Sequence, residues 1–261
     1  MTIMKHEWKR GCKAFLIWTA SIAFLSAVCL LLFPEMKGQM DSVSDMFASM
    51  GSFSAAFGMD RLNFGTLIGF YAVECGNIIG LGGAFFASLT AACALSGEEK
   101  DHTAEFLLTH PVSRVRVVTQ KLLALLTQIV LMNLIVYALS LGCAAAIGEE
   151  LPLRDITLLH TSYLLMQFEF AGICFGLSAF LRRGGSGVGL GLATMLYFVN
   201  IIANLSDRLS FLKYCTPFGY TDGADIVTNG AIDAKTASVG IVITVLCIAT
   251  AYLHYPRKDI A

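Results

Sequence analysis

Ala94–Leu126 reads ALSGEEKDHTAEFLLTHPVSRVRVVTQKLLALL, a charged amphipathic stretch between two long apolar runs. Ser96 and Glu99 have the S-x-x-E spacing of a capping box, which predicts a helix starting near Gly97. Glu98, Glu99 and Asp101 crowd its first turns, where acids complement the positive end of the helix dipole. Ala104, Phe106, Leu107 and Leu108 supply apolar surface, and Pro111 ends the helix because proline has no N–H and crowds the preceding turn. Ser113 then starts a second helix that carries Arg114, Arg116 and Lys121 into the next apolar run. The stretch reads as a short interfacial helix, hinged by a proline to a membrane span.

Working outward, the 261 residues are 56% hydrophobic and only 14% charged, with mean hydropathy +0.69. A soluble domain carries about 25% charged residues. Several apolar runs of membrane-spanning length place the chain among polytopic membrane proteins. The net charge of −1 by itself says nothing about nucleic acid; its distribution along the chain is informative instead, and no nucleic-acid partner is expected. The eight cysteines come no closer in sequence than Cys12 and Cys29, and no C-x-x-C or His/Cys cluster occurs. Neither a disulfide framework nor a metal site is expected.

Six spans are expected, at about 14–33, 65–95, 122–147, 156–181, 187–205 and 237–255. Placing the N-terminus inside puts twelve Lys and Arg residues in cytoplasmic segments and six outside, as the positive-inside rule asks. The expected fold is an all-α, multi-pass bundle forming a single membrane domain over 1–261, with N and C termini cytoplasmic. An amphipathic coupling helix would lie within the cytoplasmic segment 96–121, between spans two and three. Met40, Val43, Met46, Phe47 and Met50 recur at helical spacing, predicting an amphipathic helix near the outer surface. Residues 206–236 read as a polar loop. G-x-x-x-G pairs at Gly65/Gly69, Gly76/Gly80 and Gly172/Gly176 predict close helix contacts.

The run GEEKDHTAEFLLTHPVSRVRVVTQKLLA resembles the signature of type-2 ATP-binding-cassette (ABC) transporter permeases. The matching positions are Gly97, Glu98, Glu99, Thr103, Glu105, Leu107, Leu108, Pro111, Val112, Ser113 and Arg114. In that family this segment links the second and third spans and touches the ATPase. The resemblance implies a transport subunit rather than an enzyme, acting as an exporter and pairing with a second permease chain, identical or related. It also implies a separate ABC ATPase subunit holding ATP and Mg, with no cofactor on this chain. Membrane lipid would surround it, in the plasma membrane of a bacterium. The chain has no Gly-Lys dipeptide and so lacks the G-x-x-x-x-G-K-[ST] phosphate loop, in keeping with an ATPase elsewhere.

Glu74 and Glu169 are the acids that fall within spans. A charge there costs at least a few kcal/mol, so each faces protein or water. With Asn77 and Gln167 they are candidates for the lining of a translocation path; the plainer reading is hydrogen bonding between helices. The same two acids would serve an alternative, a stand-alone ion-coupled secondary carrier. Such carriers show paired broken helices in two halves, and the Gly-rich segment 76–83 supplies at most one of them.

Overall fold

The computed structural model describes residues 2–38, 50–51, 54, 59, 61–97, 113–181 and 184–258. The expected outer amphipathic helix, but for Met50 at its end, and most of the expected coupling segment, 98–112, lie outside the described residues. Within them the chain is all-helical, as expected.

Six long helices follow one another: α1 (Thr2–Lys37), α2 (Leu67–Ala94), α3 (Arg114–Ala146), α4 (Leu153–Ser178), α5 (Ser186–Asn204) and, after a short α6 (Gly223–Asn229), α7 (Ala234–His254). α1 swallows both the basic N-terminal stretch and Pro34, which were expected to flank the first span. Its 36 residues make a rod of about 54 Å, longer than the roughly 30 Å of hydrocarbon in a bilayer. The surplus first turns run along α3. Met4 N donates to Gln120 Oε1 (3.2 Å) and Trp8 Nε1 to Thr127 Oγ1 (3.0 Å). Ser113 caps α3 as the sequence predicts, its hydroxyl accepting from Arg116 N at 3.3 Å.

Long helices consecutive in the chain alternate in direction. Cys75 meets Ser26 and Phe85 meets Trp18, so α2 runs against α1. Gly76 faces Tyr163 and Gly83 faces Gln167, so α4 runs with α2. Gly185 approaches Ala92 and Gly189 approaches Ser88, so α5 runs against α2. Gly172 faces Thr244 and Gly176 faces Cys247, so α7 runs with α4. Residues 2, 97, 113, 181 and 258 therefore gather at one end of the bundle.

Five helices among the described residues, α1, α2, α3, α5 and α7, are long and apolar enough to cross a membrane. α4 has the length but not the apolarity, because His160, Gln167 and Glu169 lower it. Its position explains the exception. Fifteen of its twenty-six residues are buried, against three of nineteen in α5 and three of twenty-one in α7. α4 is the helix the others enclose, and a helix facing protein need not be greasy.

The stretch 206–236 is not a plain polar loop. It folds into two 3₁₀ helices, Asp207–Cys215 and Pro217–Tyr220, and then α6. Pro217, Phe218, Gly219 and Tyr220 are buried, tucked back among α4, α5 and α7. Arg61 fastens the far end of the bundle by bridging Asp222 (2.7 Å) and Asp225. Burial works against the Arg61 charge, but these two carboxylates outweigh it and hold its pKa above the usual value.

Candidate functional site

Of the motif residues that carry the resemblance, Gly97, Ser113 and Arg114 are described. Glu98, Glu99, Thr103, Glu105, Leu107, Leu108, Pro111 and Val112 lie outside the described residues. What the structure gives is the two anchorages between which that segment runs. On the entry side, α2 ends at Ala94, whose carbonyl accepts from Lys121 Nζ at 2.9 Å. The same ammonium pairs with Glu7 Oε1 at 2.9 Å and has no solvent exposure. An unpaired buried lysine would cost several kcal/mol; a carboxylate and a helix-terminal carbonyl together offset that loss of hydration. A cavity of about 170 Å³ opens here, lined by Glu7, Arg10, Thr90, Cys93, Lys121 and Gln128 among others. Arg10 lies against Gly97, where an added Cβ would stand 2.9 Å from its guanidinium.

On the exit side, the Arg114 guanidinium turns inward. Nη1 donates to the carbonyls of Pro256 (3.3 Å) and Lys258 (2.7 Å), beyond the end of α7. Both anchorages are built from residues that look, in sequence, like ordinary cytoplasmic charges. Lys121 and Glu7 carried no signal of their own, since burial of a charge at a span's edge is decided by its neighbours.

The four candidate path residues part company. Gln167 is fully buried, accepting from Asn133 Nδ2 at 2.7 Å and donating to the Ile79 carbonyl at 3.5 Å. It ties α4 to α3 and α2. Glu169 is 2% exposed, and neither carboxyl oxygen closes a hydrogen bond. The Tyr220 hydroxyl is close enough to act on the carboxyl, but the pair falls short of hydrogen-bond geometry. Gly240 of α7 lies so near that a Cβ there would stand 2.1 Å from Glu169 Oε2.

Glu74, half-buried, sits in a π-helical turn, Tyr71–Cys75, that interrupts α2. Gly76 N reaches back five residues to the Tyr71 carbonyl, and Asn77 Nδ2 takes up the Val73 carbonyl at 2.8 Å. Such wide turns recur at functional sites. Counting from the Gly76–Tyr163 contact, Glu74 and Glu169 differ by some eight residues in depth, about 12 Å of helix. The structure does not bring them together.

Asn77 lines an open cleft. That cleft lies between α2, α5 and the buried turn, with Tyr163, Tyr197, Asn200, Thr221 and Asp222 on its walls. At about 60 Å³ it has room for a few water molecules. A polar group absent from the sequence reading lies just above it. His160 Nε2 is 2.6 Å from the Tyr71 hydroxyl, which also meets Ser140 Oγ at 3.0 Å. The signal was available: an imidazole within a span invites the same scrutiny as a carboxylate there.

The helical order, the enclosed α4 and the paired anchorages around 97–114 fit a transport subunit. A family model described as ABC-2 family transporter protein matches residues 1–260. The chain belongs to the ABC-2 transporter family. No curated protein is similar enough to serve as a named relative. Membership makes this a multi-pass membrane subunit of an ABC transporter, a class that works in association with an ABC ATPase, and not itself the catalytic part.

Proposed function

We propose that the chain is the permease subunit of an ABC exporter in a bacterial plasma membrane. All six long helices cross the bilayer, and the end bearing residues 2–13, 97, 113 and 258 faces the cytoplasm. A second permease chain completes the translocation path, and each permease docks one ATPase that carries ATP and Mg. The segment 97–114 is the docking element, with Glu98, Glu99 and Glu105 offering charge to the partner. The family match over residues 1–260 carries this reading, and the anchoring of both ends of the segment supports it. Closure of the ATPase pair would move a segment fixed to α1 and α2 at one side and to α3 at the other, biasing a bundle with two arrangements.

The small size of the cleft beside Asn77 agrees with a path formed between two permease chains rather than inside one. The secondary-carrier alternative receives no support from Glu74 and Glu169, which share no site.

The test is copurification. This chain, coexpressed with ABC ATPases encoded beside it, is expected to bring down an ATP-hydrolysing complex in mild detergent. Glu98→Arg combined with Glu99→Arg is expected to dissolve that complex while leaving the permease folded. A chain that purifies alone and drives proton- or sodium-dependent uptake in vesicles would overturn the proposal.

A further inference from the structure

We infer that the segment after the last helix, Tyr255–Lys258, is a mechanical joint between the coupling segment and α4, with Arg114 and Lys258 as its positioning residues. The inference rests on the coupling reading above and assigns to Arg114 a role other than contact with the ATPase.

Arg114 is the first residue of α3, immediately after the point where 98–112 rejoins the described chain. Its guanidinium holds two carbonyls of the joint, those of Pro256 and Lys258. A single guanidinium nitrogen shared by two carbonyls holds them close together, and the rigid plane of the group fixes its direction. The joint is itself stiff: Tyr255–Arg257 forms a 3₁₀ turn, Pro256 locks one backbone angle, and Tyr255 is buried. From its far side Lys258 Nζ donates to the Leu181 carbonyl at 2.8 Å, just past the end of α4.

Two further contacts align the same three elements. The Tyr252 hydroxyl meets Thr119 Oγ1 of α3 at 2.9 Å, and the His254 ring stacks on Phe180 at 4.2 Å. A displacement of the start of α3 is thus passed through Arg114 to the joint, and through Lys258 to the end of α4. The entry side works differently. There Lys121, Glu7 and Arg10 tie the segment to α1 and to the end of α2. One input is divided between α1 and the enclosed helix α4.

The two positioning residues separate cleanly, because Lys258 offers its carbonyl to Arg114 and its ammonium to Leu181. Lys258→Met cuts the link to Leu181 and leaves the grip of Arg114 in place. The experiment is hydrogen–deuterium exchange on the permease–ATPase complex, with and without a non-hydrolysable ATP analogue, following peptides over 98–112 and 176–184. The unaltered complex is expected to respond in both regions. Lys258→Met is expected to keep ATPase copurification and the response at 98–112, and to shrink the response at 176–184 at least about fivefold. Lys258→Arg keeps the donor and should restore it. Arg114→Lys, which keeps the charge but replaces the planar guanidinium with a shorter, more freely rotating ammonium, should give an intermediate loss. An undiminished response at 176–184 in Lys258→Met overturns the joint alone. If the unaltered complex shows no response at 98–112, the coupling reading fails and the joint with it.

Discussion

α4 and α7 run side by side, yet they carry opposite compositions. α4 holds His160, Gln167 and Glu169 and is buried over most of its length. α7 is apolar nearly all round, with Val242, Val245 and Leu246 among its most exposed residues. In water the exposed helix would be the polar one. A membrane's interior accepts no hydrogen bonds, so in a membrane protein polar side chains belong on the helix surrounded by protein. Where the two touch, small residues let the backbones close. An added Cβ at Gly176 would stand 2.5 Å from the Cys247 carbonyl oxygen.

The largest expected effect comes from placing charge on the wrong member of the pair. Leu246→Asp, near the centre of α7, should raise the cost of membrane insertion by about 3 kcal/mol, read as lost integration in a glycosylation-mapping assay. Its mirror, Glu169→Leu, removes a buried carboxyl with no hydrogen bond and should leave the detergent unfolding temperature unchanged or higher. A steep loss of stability in Glu169→Leu would break the comparison.

Next comes the seam. Gly176→Val overpacks against backbone and should cost about 1–3 kcal/mol, whereas Gly191→Ala on α5, with open space around it, should change nothing measurable in the same thermal unfolding. A smaller loss, about 0.6–2 kcal/mol, is expected for Gln167→Leu, which deprives Asn133 of an acceptor. A double-mutant cycle with Asn133→Leu should show strong coupling, and simple additivity would return Gln167 to the candidate path residues.

The smallest effect lies at the start of α7, where Asp233 caps the helix by accepting from Lys235 N and the Thr236 hydroxyl. Asp233→Ala should cost about 1 kcal/mol or less. The Thr236 hydrogen bond first, and the backbone amides with it, hold the Asp233 carboxyl below its ordinary pKa. Its contribution is therefore present above the unfolded value of about 3.9 and lost as pH falls through the lower folded value. The gap between the native protein and Asp233→Asn, measured by thermal unfolding, should narrow below about pH 4.

Much of this arrangement was legible in order and little of it in partnership. Ser113 read as a helix start because a cap needs only its own neighbours. Gly172/Gly176 read as a close contact, but nothing near them named α7. Gln167 and Glu169, two residues apart, read as one feature; packing gave Gln167 two partners and left Glu169 without a hydrogen bond. Arg114 and Lys121 counted equally as inner charges, and the fold sent one to the segment after α7 and buried the other against Glu7. The π turn at Glu74 left no mark at all, since a single widened turn alters no hydrophobic period.

The sequence by itself determined that the chain is a helical membrane protein, where its long helices lie, and which family it resembles. Those properties are local, set by runs of apolar residues, by caps and by a contiguous motif. Only the tertiary structure decided that α4 is enclosed, that the candidate path residues divide among separate roles, and that the residues flanking 98–112 are anchored to α1 at one end and to the segment after α7 at the other. Each of these depends on which surfaces meet across long separations in sequence, and such pairings are settled by packing and by the need to satisfy buried polar groups.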